Sequence, residues 1–261
     1  MTEESAPGAT YTQIWPTTEE FSAAELADLY RAPGVRSNMV TSIDGSLTIG
    51  GRAGGLSDPV DFEHLLLARE SADVLLVGAG TARAEGYGPV TARDKALAGR
   101  RAAGQDDHPA LALVSASLDL DPSSPMFADA PHRPLVLTHT PDGGADADWT
   151  RRREALADVA EIVLLPGPQA AAEHGSAGGA AIVAALRERG HTRILTEGGP
   201  ALLGTLVTDG ALEELLVSYS PTVAGGDGRR MVTGAPESPR GARLVLLLKA
   251  DDLLIARYRM R

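Results

Sequence analysis

The chain has 261 residues, 43% hydrophobic and 23% charged, which is long enough for a sizeable core and has the balance of a globular protein. Lys and Arg number 24 against 35 Asp and Glu, a net charge of −11, which argues against nonspecific binding to nucleic acid or acidic membranes but not against a local anion site. The absence of cysteine excludes disulfides, a thiolate nucleophile and Cys-ligated zinc, and the histidines form no i,i+4 pair, so no metal is expected.

No apolar run reaches membrane-spanning length, and residues 1–9 are acidic and polar, unlike a secretion signal; the expected compartment is the cytoplasm. Residues 1–12 read as a disordered tail before a single domain over 13–261. Ser22-Ala23-Ala24-Glu25 is a capping box that opens a short helix through Tyr30, stopped by Pro33 and Gly34. Residues 35–43 read as the first core strand. They run into Asp44-Gly45, where Asp44 either shapes a turn or points a carboxylate into a site.

Residues 50–57 are glycine-rich, a loop of the kind that closes over ligands. Ser57 and Asp58, followed by Pro59, cap a helix to about Glu70, with Phe62, Leu65, Leu66 and Arg69 on one mainly apolar face and His64 solvated or at the core's edge. Asp73-Val74-Leu75-Leu76-Val77 is a continuous apolar strand, as in a sheet covered on both faces. Gly78-Ala79-Gly80-Thr81 then makes a strand–glycine–helix turn. It is not the dinucleotide fingerprint, because Arg83 stands where a third glycine belongs, and this disfavours an NAD-type Rossmann dehydrogenase.

Residues 87–107 read as polar and irregular, with Arg93, Lys95, Arg100 and Arg101 either solvated or facing a phosphate. Apolar strands follow at 110–115, 135–138 and 161–165, with a Pro/Gly/Asp-rich loop over 141–148 and a polar helix over 151–160 between the last two. Pro166-Gly167-Pro168 closes the third strand, and a helix follows over 180–190.

The chain is organised around Arg193-Ile194-Leu195-Thr196-Glu197-Gly198-Gly199-Pro200-Ala201-Leu202-Leu203. A strand meets a Gly-Gly turn, and Pro200 starts a helix at the position where its missing N–H costs nothing. Free backbone N–H groups at such a turn form an anion cradle that glycine lets a phosphate approach. An ordinary β–α turn would look the same, so this stretch alone leaves both open. Glu197 lies at the strand's end, where open α/β sheets place ligands. A strand over 212–220, a glycine-rich loop over 221–228 and a hairpin pairing 243–249 with 253–259 complete the chain. The pattern is α/β: a mixed, mostly parallel sheet flanked by helices on both faces, ending in an antiparallel hairpin.

Four motifs follow one another over residues 35–260. They are Met39-Val40-Thr41-Ser42-Ile43-Asp44-Gly45; Ser71-Ala72-Asp73 through Gly78-Ala79-Gly80-Thr81 with Glu85; Thr196-Glu197-Gly198-Gly199-Pro200 with Leu202-Leu203; and Glu213-Glu214-Leu215 with Ser220-Pro221 and Gly225-Gly226. In this order they resemble the reductase domain of bacterial riboflavin biosynthesis, in a form without the fused zinc deaminase and with a dihydrofolate-reductase-like fold. The resemblance implies NADPH-dependent reduction of a pyrimidine ribosylamine phosphate, of the 5-amino-6-ribosylaminouracil phosphate type, by a homodimer.

Carried over by position, the resemblance places Thr41, Gly78, Gly80, Thr81, Glu85, Gly199, Ala201, Leu202 and Gly204 on NADPH. It places Ser57, Arg93 and Glu197 on substrate, with Asp44 and Glu197 at the reacting centre. Two departures fall on the substrate side. Asp58-Pro59 replaces the family's Gln-Trp after the serine, and Ala68 stands where a phosphate-binding arginine is expected, with Arg69 adjacent. A pterin such as dihydrofolate is therefore the alternative substrate. An NADPH-binding protein without turnover is the alternative of another class.

Overall fold

The computed structural model describes residues 11–141, 143–167 and 178–261; Asp142, Pro168, His174 and the first ten residues lie outside them. The chain begins with strands β1 (Tyr11–Trp15) and β2 (Glu19–Phe21) and helix α1 (Ala23–Tyr30), whose capping box forms between Ser22 and Glu25 as expected. Strand β3 (Gly34–Thr41) leads through a loop with one 3-10 turn to α2 (Pro59–Ser71), started by the Asp58 side chain accepting from the Asp61 N–H at 2.8 Å. There follow β4 (Val74–Gly78), α3 (Ala79–Glu85), α4 (Asp94–Ala102), β5 (Ala110–Val114), α5 (Pro125–Ala128) and β6 (Leu135–Thr138). The rest is α6 (Ala147–Ala157), β7 (Glu161–Leu164), α7 (Gly179–Glu188), β8 (Arg193–Thr196), α8 (Pro200–Thr208), β9 (Glu214–Tyr219), β10 (Ala242–Ala250) and β11 (Leu253–Met260).

The strands form one 11-stranded sheet in the order β2-β1-β10-β11-β9-β3-β8-β4-β5-β6-β7. From β9 to β7 every pairing is parallel; from β2 to β9 every pairing is antiparallel, and β10 and β11 form the expected C-terminal hairpin. A core on one face joins α1, α2, α3, α5 and α6 to the sheet; the core on the other face joins α7 and α8. The crossover through α2 leaves β3 toward β4 on the first face, and the crossover through α8 leaves β8 toward β9 on the second. The two run in opposite directions, which opens a crevice at the carboxyl ends of β3, β8 and β4. Among the described residues no helix is long and apolar enough to cross a membrane.

Three local expectations change. Tyr11 and Thr12 belong to the sheet, with Tyr11 fully buried, rather than to the tail. Residues 94–102, expected to be irregular, are α4; helix-forming Ala, Leu, Lys and Arg hold it without an apolar stripe that periodicity would detect. In α2 the buried side carries Asp61, His64, Leu67, Ala68, Glu70 and Ser71, while Phe62, Leu65 and Arg69 of the mainly apolar face line the crevice, Phe62 being 53% exposed. His64 is not solvated: it has no exposed surface, and its Nε2 is 2.9 Å from the Tyr30 hydroxyl.

Candidate active site

The crevice is a cavity of ≈ 1690 Å³. Drug-sized ligands occupy roughly 300–1,000 Å³, so the space suits a large ligand together with a small one. Its floor is the ends of β3, β4 and β8, with Asn38, Met39, Gly78 and Glu197 in the lining. One wall is the start of α2 with the glycine-rich loop before it; the other is α8 with residues 233–236.

Two turns meet on the floor. The Gly78 N–H donates to the Gly198 carbonyl at 2.7 Å, joining the strand end before α3 to the strand end before α8. Gly199 lies against Thr81, and a methyl group at Gly199 would overlap the Thr81 hydroxyl. Gly80 has open space where a side chain would begin. The first N–H groups of a helix have no acceptor within it, so Gly80 and Thr81 in α3 and Ala201 and Leu202 in α8 bring backbone donors to one cavity. Together the two turns supply the kind of donors that an anion cradle needs.

Glu197 is held by two groups. Arg69 donates to it in fork geometry, Nε to Oε1 at 2.6 Å and Nη2 to Oε2 at 2.7 Å, and the Tyr87 hydroxyl donates to Oε2. The Arg69 guanidinium also lies 5.4 Å from the Tyr87 ring centre, within cation–π range. Burial alone would lower the Arg69 pKa, but the Glu197 carboxylate outweighs it and holds the guanidinium firmly charged. Burial, and then the charge of Glu197, push the Tyr87 phenol well above its ordinary value, so it stays a donor. Tyr87 and Arg69 were absent from the expected site residues. In the sequence Arg69 stands out only as a member of the mainly apolar face of α2 and as the neighbour of a missing arginine, and Tyr87 lies in a segment with no periodic signal.

Asp61, in the first turn of α2, also lines the crevice and is 4% exposed. Ser57 donates to its Oδ2 at 2.6 Å, whereas Oδ1 is buried without a partner. Burial lifts this carboxyl above the ordinary aspartate range, with the nearby Ser218 and Ser57 hydroxyls pulling the other way and the charge of Asp58 adding to the rise. Nothing in the sequence marks Asp61, since an acidic residue in a first helical turn is commonplace.

Of the residues carried over from the resemblance, Ser57, Gly78, Gly80, Thr81, Glu85, Glu197, Gly199, Ala201 and Leu202 all line the cavity. Four do not. Thr41 is buried, its hydroxyl directed at the Ser42 and Ser46 carbonyls. Asp44 ties two loops together: it accepts from the Ser42 hydroxyl and from the N–H groups of Ala224 and Gly225, and these bonds lower its pKa to about 2. Gly204 is a packing glycine, since a methyl group there would overlap the Thr233 carbonyl. Arg93 is committed to Glu70 and Glu63, with Nη2 2.7 Å from Glu70 Oε2. Local hydrogen bonds engage Thr41 and Asp44, a close backbone approach fills the space at Gly204, and ion pairs hold Arg93. Glu85 reaches the cavity, but its carboxylate accepts from the Ala53 N–H at 3.0 Å and so fastens the glycine-rich loop.

Comparisons place this geometry among known proteins. A pyrimidine reductase-like protein from Corynebacterium diphtheriae is 27% identical, with a TM-score of 0.79 over 92% of this chain and 99% of that one. A diaminohydroxyphosphoribosylaminopyrimidine deaminase/5-amino-6-(5-phosphoribosylamino)uracil reductase from Thermotoga maritima shares the fold at 18% identity and a TM-score of 0.63, over 89% of this chain and 58% of that one. The riboflavin biosynthesis reductase Rib7 of Saccharomyces cerevisiae does so at 14% identity and a TM-score of 0.63, over 88% and 91%. No curated protein matches the sequence. The family model of the RibD C-terminal domain matches residues 33–251, and the chain belongs to that family.

Proposed function

We propose that the protein is an NADPH-dependent reductase of a pyrimidine, of the 5-amino-6-ribosylaminouracil phosphate type that the riboflavin pathway uses. The observation that carries the reading is the meeting of two strand–glycine–helix turns beside a fixed carboxylate, in a chain of the RibD C-terminal domain family. The residues present fit the cofactor: glycine at 78, 80 and 199 leaves backbone exposed, and N–H groups at 80, 81, 201 and 202 suit a pyrophosphate. Bound NADPH supplies the hydride. The chain's own residues hold the two reactants against each other and keep water out. Glu197, fixed by Arg69 and Tyr87, forms a rigid polar wall beside the acceptor ring, and Ser57 and Asp61 face it from α2. Residues 13–261 act as one reductase unit, in a homodimer in the cytoplasm.

A specific observation favours the pterin alternative. With Arg93 and Arg69 both committed to carboxylates, no buried cation among the described lining residues remains for a substrate phosphate; Arg229, exposed at the rim, is the lining arginine outside any described ion pair. NADPH oxidation by the purified protein, with the ribosylaminopyrimidine phosphate and with dihydrofolate, tests both readings. Turnover of the first supports the riboflavin-type reading and turnover of the second the pterin reading. NADPH binding with no turnover of either would make the protein a non-catalytic binder.

A further inference from the structure

Positive charge gathers at the other end of the sheet. The crevice opens at the carboxyl ends of β3, β8 and β4, whereas a cavity of ≈ 390 Å³ lies at the amino ends of β3 and β9, beside the end of α8 and the last residues of β11. Arg36, Arg240, Arg257 and Arg259 line it, together with Glu213 and Glu214. Glu213 is already paired with Arg187 of α7, at 2.7 Å. Glu214 is shared by three guanidinium groups: Arg36 and Arg257 at 2.8 Å, and Arg259 at 3.3 Å. One carboxylate does not balance three cations.

Structural duties account for part of the cluster. Arg36 Nη1 donates to the Tyr30 carbonyl at 2.6 Å, at the end of α1, and Arg240 Nη2 donates to the Thr208 carbonyl at 2.6 Å, at the end of α8. A helix C-terminus carries about half a negative charge, so two helix ends and Glu214 answer about two of the four positive charges. An excess of about two remains, in a chain whose net charge is −11. Solvent does little to disperse it at Arg36, which is 6% exposed. Burial lowers the Arg36 pKa and the charge of Arg257 lowers it further, with Glu214 opposing both. Arg243 of β10 stands directly opposite Arg259 of β11, a like-charge pair that works against the hairpin. Among the described residues neither Arg240 nor Arg243 has an acidic partner.

We propose that this arginine-lined cavity is a second anion site, remote from the crevice, that takes a phosphoryl group, carried by free phosphate or by a small phosphate monoester. A phosphoryl group bears about −1.5 to −2 at neutral pH and so matches the excess, which a chloride or a monocarboxylate would halve. Guanidinium groups meet phosphate oxygens in pairs of parallel N–H bonds, which suits a site made of arginine rather than lysine. The volume is at the small end of ligand pockets and suits a phosphate with a short carrier, not a dinucleotide. A phosphoryl group held there joins the end of β11 to the start of β3 and the end of α8, and stabilises the folded chain by mass action. None of this depends on what the crevice binds.

The test titrates inorganic phosphate and, separately, ribose 5-phosphate into the protein, followed by NMR, with chloride holding the ionic strength at about 0.15 M. Wild type, Arg259→Gln and Arg240→Gln are compared, because Glu214 keeps Arg36 and Arg257 in both variants. In wild type at least one of the two ligands should saturate, with half-saturation near or below about 1 mM. The backbone amide signals of Glu214, Arg257 and Arg259 should move at lower concentration than those of Gly78, Gly80 and Gly199 in the crevice. Each substitution removes one charged donor and should weaken binding about tenfold. Tighter binding of ribose 5-phosphate identifies a monoester as the ligand; equal or tighter binding of inorganic phosphate identifies free phosphate. No saturation by either ligand at about 10 mM, amide signals that move first in the crevice, or an affinity unchanged in either variant would overturn the proposal. If a variant does not fold, the order in which the wild-type amide signals move decides.

Discussion

Arg69 and Glu197 lie 128 positions apart in sequence and pair in the lining of the crevice. Breaking a largely buried pair strands the remaining charge. Arg69→Met should therefore cost about 2–4 kcal/mol of stability in urea unfolding and reduce turnover, and Arg69→Met combined with Glu197→Gln should cost less than the sum of the two singles. A double mutant no better than the sum of the singles would show that the pair is not coupled. His64 makes a separate prediction, about acid. Burial lowers its pKa to about 4, so below the ordinary 6.5 the unfolded chain binds a proton that the folded chain refuses. Stability then falls with pH, by about 3 kcal/mol between pH 6.5 and 4. His191, shifted in the same direction by burial, adds to this. Glu214, opposed by burial but held by Arg257 and Arg36 to a pKa of about 2, adds a second loss between pH 4.5 and 2. Replacing His64 with Gln should flatten the upper segment of the unfolding-versus-pH curve and leave the lower one unchanged. At this scale the sequence was legible where glycine spelled the geometry: Thr-Glu-Gly-Gly-Pro announced Glu197. It was silent on Tyr87 and Asp61, which reach the crevice from the loop after α3 and from α2 across long sequence separations from Glu197.

Elements place those residues, and their errors of reading have physical causes. The apolar face read on α2 was real, but an apolar stripe turned to an open crevice has the same 3.6-residue period as one turned to a core, and the buried side of α2 instead accommodates a His–Tyr pair and a carboxylate. Strand β1 escaped notice because five residues with alternating burial carry little signal, and its pairing with β10 spans almost the whole chain. The capping box of α1, the Asp58 cap of α2 and the Pro200 start of α8 were all legible, since these are local chemistry. Gly204 shows packing between elements. Its lack of a side chain lets the segment carrying Thr233 rest on α8, and the Thr233 N–H donates to the Pro200 carbonyl at 3.1 Å. Gly204→Ala should push that segment away, costing about 1–3 kcal/mol in thermal unfolding and weakening NADPH binding. Unchanged stability and affinity would show that the segment yields freely.

The whole molecule sets a local electrostatic arrangement against a global one. A chain of net charge −11 repels anions at long range, so the proposed binding of a pyrophosphate must act at short range through helix N-termini and backbone donors. The sheet makes that possible: opposite crossovers from β3 and β8 bring the turns before α3 and α8 to one point. The parallel half of the sheet was readable from continuous apolar runs such as Val74 through Val77, all fully buried. The strand order was not, because β8 inserts between β3 and β4 from far along the chain. A crystal structure of the protein with NADPH tests the central claim most directly. The account predicts the pyrophosphate within hydrogen-bonding distance of backbone N–H groups at Gly80 or Thr81 and at Ala201 or Leu202, with the nicotinamide reaching toward Glu197. NADPH bound away from these two turns, or not bound at all, would contradict it.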